Sequence, residues 1–322
     1  MTSHRNEKIQ DVIATYGACF PKRETMAQKR LLIRQVLLDF EPAGFKVVGI
    51  TEKAKMLTSM NIHIGDLTDA DTIFVAHYDR PFKSYFKHFY HPFLKTGSVI
   101  SKIFSEQIVS LIILGLGALF YGLGFTLQLE WMKLIALLGV PVGLGATLTT
   151  FPKGIRNKNN FNKNNSSIIA LLLLAEKLKG TDHHVAFVLT DNECLNHHGD
   201  LMLRKYLDKK KIHASIIHMD CVGRGNVLEI GAAGSHVNLA NRLIKSPLGR
   251  LKPVVKLYPE SLIKGSSLQS YPVSVNITVG DPYHDDIAVS GVCTSKDSTI
   301  SEEVIQDVVE FLADTVNKTS KR

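Results

Sequence analysis

Cysteine, tryptophan and runs of like charge are what this sequence has least of. Its 322 residues include four cysteines and one tryptophan. Cys19, Cys194, Cys221 and Cys293 are scattered without the spacing of a secreted scaffold, which sets aside the small disulfide-stapled folds. With 23 glycines and 11 prolines the chain is neither fibrous nor of low complexity. The stretch Met1 to Lys8 is polar and lacks the apolar core of a signal peptide, so nothing there directs the protein outward. No internal repeat is present. The formal charge of +8 is dispersed, with no long basic run and no recognisable nucleic-acid module. Nucleic acid is therefore set aside as a partner in favour of an anionic membrane surface.

What the chain does have is hydrophobicity, at 45% of residues, enough for one large core or two modest ones. Two uncharged apolar stretches dominate its middle, Ile108 to Leu127 and Leu134 to Phe151. Each has about the length a helix needs to cross a bilayer core. A short turn around Gln128-Leu129-Glu130 makes them one hairpin, and glycines such as Gly117, Gly124 and Gly139 let the two backbones approach. Lys83, Lys87, Lys95 and Lys102 precede it, and Lys153, Arg156, Lys158 and Lys163 follow. By the positive-inside rule both ends face the cytoplasm. The expectation is a multi-pass protein of the cell membrane, with helices at about 108–127 and 132–151 and the lipid bilayer as a partner. The globular domain and both termini then lie on the cytoplasmic side. The aromatic segment Phe82–Phe104 reads as an interfacial lead-in.

Elsewhere, short apolar runs alternate with amphipathic ones. A helix is expected over Asn6–Asp39, and strands at Lys46–Ile50, Thr72–His77, His184–Thr190, Ala214–Met219 and Val273–Val279. Helices are expected at Ser166–Lys179, His197–Leu207, His236–Lys245 and Ser301–Asn317. Asn157 to Asn165 reads as a polar linker. The alternation predicts an α/β fold, a three-layer sandwich around a mostly parallel sheet. In this division, residues 1–81 open the domain, 82–156 carry the interfacial segment and hairpin, and 157–322 complete the domain.

Polar residues gather where these strands end, the place where open α/β sheets bind ligands. His77-Tyr78-Asp79, Asp191-Asn192-Glu193 and His218-Met219-Asp220 each close a strand. Asn164-Asn165-Ser166-Ser167, Glu193-Cys194, Asp220-Cys221-Val222-Gly223 and Cys293-Thr294-Ser295-Lys296-Asp297-Ser298 follow in order. With His77-Tyr78-Asp79, this series resembles the zinc-dependent exopeptidase family of bacterial leucyl aminopeptidases, glutamate carboxypeptidase II and glutaminyl cyclases. The resemblance covers roughly residues 45–80 and 160–318, and implies the sandwich fold with a metal pocket at the strand tips. It assigns His77 and Asp220 to metal, Glu193 to general base and Asp79 to orienting His77.

The departures from the family pattern bear on activity. The bridging aspartate of the two-zinc centre falls at Asn164, a neutral amide that cannot neutralise two cations. Two further ligands fall at Cys194 and Cys293. A Ser-Asp-His element of many relatives is best matched at Ser266-Ser267-Leu268 and is absent. Three states of the pocket stay open: one zinc among Cys194, Cys293, Asp220 and His77, an empty site, or a reversible disulfide. One ion is preferred to two. His197 and His198 could replace a lost ligand, but read first as surface histidines at a helix start. His284-Asp285-Asp286 reads as a solvated loop, and Cys221 is expected to point into the core, away from Asp220. The functional expectation is a catalytically impaired exopeptidase-like protein serving as a cytoplasm-facing binding or scaffold module, with a peptide as ligand. The alternative is a membrane-bound metallo-aminopeptidase using a cysteine-containing zinc site.

Overall fold

Strands that are apolar on both faces need a cover on each side, and that requirement organises the molecule. The computed structural model describes residues 9–20, 22–54, 57–81, 83, 89–93, 98–128, 130–150, 156–181, 183–193, 197–246 and 249–319. Its ten strands are β1 (Val47–Ala54), β2 (Leu57–Ile64), β3 (Thr72–His77), β4 (Phe89–Tyr90), β5 (Val185–Thr190), β6 (Ser215–Met219), β7 (Val227–Ala233), β8 (Lys252–Tyr258), β9 (Ser274–Tyr283) and β10 (Asp286–Ser290). They form one sheet in the order β1-β2-β5-β3-β6-β9-β10-β4, with β7 joining β8 to β9. The centre is parallel, with Phe74 of β3 opposite Phe187 of β5 and Ile217 of β6.

Side-chain alternation splits the core into two layers. From β3 and β5, Phe74, Ala76, Phe187 and Leu189 face the larger cluster. Ile73, Val75, Ala186 and Val188 face the smaller one. Helices α1 (Met26–Phe40), α4 (Ser166–Lys177) and α8 (Glu302–Thr319) contribute to the first layer, and α5 (His198–Lys210) to the second. Phe187 is fully buried, with the rings of Phe40, Phe45 and Phe74 at 5.9, 5.1 and 5.8 Å. Thr25 caps α1 in a reciprocal capping box with Gln28, an arrangement worth about 1 kcal/mol.

Several expectations need correction. The sheet is mixed rather than mostly parallel, because β1–β2, β2–β5, β7–β9, β9–β10 and β10–β4 are all antiparallel. β2, β7, β8 and β10 were not expected. The N-terminal segment is not one helix: residues 9–14 lead into a π-turn (Thr15–Cys19), and α1 starts only at Met26. There Arg23 is buried, donating through Nη1 to the Tyr78 carbonyl at 3.0 Å and through Nη2 to the Tyr16 carbonyl at 2.8 Å.

The transmembrane hairpin is also corrected. Helices α2 (Ser98–Thr126) and α3 (Glu130–Thr150) do pack on each other, with Gly117 against Val140. Among the described residues, however, no helix is long and apolar enough to cross a membrane. The start of α2 is spent on Ser98, Ser101, Lys102, Ser105, Glu106 and Gln107. Glu130 and Lys133 open α3, and Pro141 lies inside it. The expected placement as a multi-pass cell-membrane protein with a cytoplasm-facing domain and termini falls with the hairpin. Much of the interfacial segment 82–104 lies outside the described residues. Its described residues His91 and Phe93 are buried against the domain, Phe93 with Tyr258 and Leu268.

Helix α6 (Val237–Leu243), the one-turn α7 (Glu260–Ile263) and two short 3-10 turns complete the connections between β7 and β9.

Candidate functional site

The strand tips of β3, β5 and β6 bring His77, Asp79, Glu193 and Asp220 into one buried pocket, and the polar segment after residue 156 forms its wall. This segment was expected to be a linker. Instead Asn157, Asn160, Asn162, Lys163, Asn164 and Asn165 are all buried. A buried amide must find partners, and these side chains find them in neighbouring loops. Asn157 Nδ2 donates to the Thr294 carbonyl at 2.8 Å, Asn165 Nδ2 to the Tyr16 carbonyl at 2.8 Å, and Asn164 Nδ2 to the Asp79 carbonyl. The Asp297 carboxylate accepts from the backbone N–H groups of Asn162 and Lys163 at 2.6 and 3.3 Å. A π-turn at Phe161–Asn165 then feeds α4.

That turn aims Lys163 into the pocket. Its Nζ donates to Glu193 Oε1 at 2.9 Å and to Asp220 Oδ1 at 2.7 Å, and stands 4.5 Å from the centre of the Tyr90 ring. Burial alone would lower the lysine pKa, but Asp220 and Glu193 outweigh it and hold the ammonium well above its usual range. Glu193 mirrors this: burial pushes it up, and Lys163 followed by His77 brings it well below the usual carboxylate range. The Tyr90 hydroxyl donates to the other Asp220 oxygen, and Cys221 Sγ lies 3.2 Å from Asp220 Oδ1. Cys221 is buried in the core with Val289 and Val292, as expected, but it does not point away from Asp220. It follows β6 at φ 57°, where strand alternation no longer governs direction, and its thiol faces the acid.

Asn164, read as the bridging position, holds the Asp79 backbone, and the side chain between the two acids is that of Lys163. A zinc ion does not fit between Glu193 and Asp220 as they stand, because an ammonium already balances them there and would repel a second cation. Asp79 is buried, neither of its oxygens has a hydrogen-bond partner, and burial followed by repulsion from Glu193 raises its pKa to about 7. Cys194 lies outside the described residues. Cys293 is half-buried at φ 61° and belongs to no metal-like cluster among the described residues.

Around His77 the chemistry changes. Its Nδ1 meets Thr190 Oγ1 at 2.9 Å, and its Nε2 meets His218 Nε2 at 3.0 Å and Ser267 Oγ at 2.9 Å. Burial depresses its pKa to about 4, leaving a neutral ring. His197, expected at the surface, turns inward from the start of α5. Its Nδ1 lies 3.1 Å from Ser267 Oγ and 3.6 Å from Asp200 Oδ2. Gly199 permits this approach: its N–H donates to the Asp191 carbonyl at 2.9 Å, and an added Cβ would meet that oxygen at 2.3 Å. Sequence reasoning missed Asp200, gave His218 only as part of a polar strand end, and read Lys163 as a charge flanking the hairpin. The one available signal was a charged residue inside an otherwise neutral run of asparagines. The loop His284-Asp285-Asp286 does not join this pocket by its carboxylate; Asp286 instead pairs with His91 and Lys256.

His77 with Asp79 and Glu193, and His77 with His197 and Asp200, are groups whose ligand atoms lie within 4.8 Å of one another. Zinc is therefore chemically plausible in this region. No protein-family model matches the chain, and no curated protein matches it. Solved structures do. A glutaminyl cyclase of Porphyromonas gingivalis aligns over 97% of this chain and 96% of its own, with TM-score 0.59 at 14% identity. The LapA aminopeptidase of Legionella pneumophila aligns over 98% and 72%, with TM-score 0.59 at 10% identity. A Zn-dependent exopeptidase from Parabacteroides distasonis aligns over 97% and 94%, with TM-score 0.55 at 13% identity. At such identities the likeness is one of architecture, and it shows that the chain is built on the fold of zinc-dependent exopeptidases and glutaminyl cyclases.

Proposed function

We propose that this chain is an exopeptidase-like fold whose carboxylate centre has been closed by an internal cation, leaving a peptide-binding module in place of a hydrolase. The observation that carries the reading is Lys163 Nζ seated between Glu193 and Asp220. A general base must be free to take a proton from a metal-activated water. Glu193 is instead held ionised by an ammonium that offers no water to activate. The pocket shape survives because the lysine supplies the charge balance a metal would supply, and the fold can keep binding chain termini or extended peptides without cleaving them.

The experiment is a hydrolysis and cyclisation assay of the zinc-supplemented full chain on aminoacyl chromogenic substrates and N-terminal glutaminyl peptides. Peptide binding is followed in parallel by fluorescence anisotropy. The proposal expects binding without turnover. Turnover that disappears in Glu193→Gln would overturn it.

A second reading is a metallo-aminopeptidase, with metal at His77, Asp79 and Glu193. It is favoured by the Asp79 oxygens and Glu193 Oε2, which accept no hydrogen bond, although Arg156 Nη1 lies 3.9 Å from Asp79 Oδ2. The same assay decides, because that reading requires zinc-dependent turnover.

A further inference from the structure

Three imidazoles and one carboxylate converge beside the ion pairs of Lys163, and their outer atoms are all engaged. His218 Nδ1 is 3.0 Å from Asn276 Oδ1, His197 Nε2 is 3.2 Å from the Gly265 carbonyl, and His77 Nδ1 is 2.9 Å from Thr190 Oγ1. Asp200 Oδ1 accepts the Tyr271 hydroxyl at 2.8 Å. The Gly265 and Asn276 oxygens can only accept, so His197 carries its proton on Nε2 and His218 on Nδ1, and the other nitrogen of each of these rings turns a lone pair inward, as the supporting groups of metal ligands do.

The inward atoms are left poorly served by the protein. Asp200 is 1% exposed, and its Oδ2 has no hydrogen-bond partner. Ser267 Oγ lies 2.9 Å from His77 Nε2 and 3.1 Å from His197 Nδ1, and its single proton can be given to one ring at a time. His77 Nε2 to His218 Nε2 is 3.0 Å, His77 Nε2 to Asp200 Oδ2 is 3.6 Å, and His197 Nδ1 to Asp200 Oδ2 is 3.6 Å. With metal–ligand bonds near 2.0 Å, the edges of a tetrahedral zinc site are roughly 3.3 Å. The spacings bracket that length.

We propose that His77, His197 and Asp200, joined by His218, form a binding site for one divalent cation of the zinc class, separate from the carboxylate pair that Lys163 occupies. Imidazole and carboxylate donors suit zinc, and one carboxylate leaves a net positive centre that an anionic group could approach. His77 takes part here through Nε2, while Lys163 stays with Glu193 and Asp220. The inference therefore does not depend on the pseudo-hydrolase reading.

The test uses the full chain stripped with chelator and titrated with zinc sulfate, followed by bound metal per chain and by the rise in Tm. Cobalt(II) absorption reports the ligand geometry. The wild type should bind about one zinc with a rise in Tm that grows with free metal. Asp200→Asn and His197→Asn should each weaken binding at least about 100-fold, whereas Glu193→Gln should change it less than about threefold. Asparagine suits position 197 because it tolerates the left-handed backbone there, at φ 52°. This keeps the test open if Asp200→Asn folds poorly. No zinc binding by the wild type overturns this inference alone. Binding that survives both imidazole-side variants but is lost in Glu193→Gln places the metal among the carboxylates, and overturns the Lys163 reading as well.

Discussion

On the acid side of the pocket, Lys163 Nζ lies 2.9 Å from Glu193 and 2.7 Å from Asp220, and the buried charges close on themselves. On the imidazole side, His77, His197 and Asp200 bring their ligand atoms within 4.8 Å of one another, and Asp200 Oδ2 accepts no hydrogen bond. Both sides are buried, and both lie at the tips of the same strands. The difference teaches that burial alone does not mark a metal site. What matters is whether the protein has already supplied the counter-charge. A side that balances itself excludes a cation, and a side left with lone pairs invites one.

The largest effect that could break this contrast is Lys163→Met, which strands two buried carboxylates. It should cost about 3–5 kcal/mol, read by urea unfolding without metal. Added zinc should restore part of that loss, because the acid side then resembles the imidazole side. A variant as stable as the wild type would show that the ion pairs carry no charge balance.

Next in size is a pH effect that must be separated from the imidazole side. His63, outside the pocket, is buried beside Tyr206, and burial lowers its pKa to about 4. Its unfolded form takes a proton near pH 6.5, before the folded form does. Stability is therefore intact above that pH and falls as pH drops toward 4, by about 3 kcal/mol through this residue. His63→Leu should flatten the acid limb of a Tm-versus-pH curve, and what remains reports on the pocket.

Tyr90→Phe sharpens the acid side by removing the hydroxyl that donates to Asp220. A loss of about 2 kcal/mol is expected in denaturant unfolding, with zinc affinity unchanged. Thr190→Val acts on the other side. It takes away the hydroxyl at His77 Nδ1 and should cost about 1 kcal/mol, while weakening zinc binding roughly tenfold. Equal effects of the two substitutions on zinc affinity would erase the contrast.

The sequence made some of this pocket legible and hid the rest for identifiable reasons. β3, β5 and β6 could be read because they are fully apolar and short, and their polar tips at His77, Glu193 and Asp220 follow directly. β2 was missed because its inward residues include Ser59, Asn61 and His63, polar side chains that are buried here. β7 was hidden by Glu229 and Gly231, a buried acid and a glycine packed against Phe93. The asparagine segment was misread because composition marks it as a turn, whereas its amides serve as tertiary hydrogen-bond donors. Lys163 was read for the same cause as a flanking charge and not as a buried one. His197 resembled a surface residue because only the close approach at Gly199 turns it inward. The apolar hairpin looked long enough by its uncharged run alone. Helix α2 begins with Lys102 and Glu106, α3 with Glu130 and Lys133, and Pro141 lies inside α3.

The central claim, that an internal ammonium has taken the place of metal between Glu193 and Asp220, is tested most directly by diffraction from crystals of the full chain soaked in zinc. Anomalous maps recorded above and below the zinc edge locate the ion. The account predicts a peak among His77, His197, His218 and Asp200, and ordinary lysine density between the two acids. A zinc peak bridging Glu193 and Asp220, with Lys163 swung out of the pocket, would contradict it.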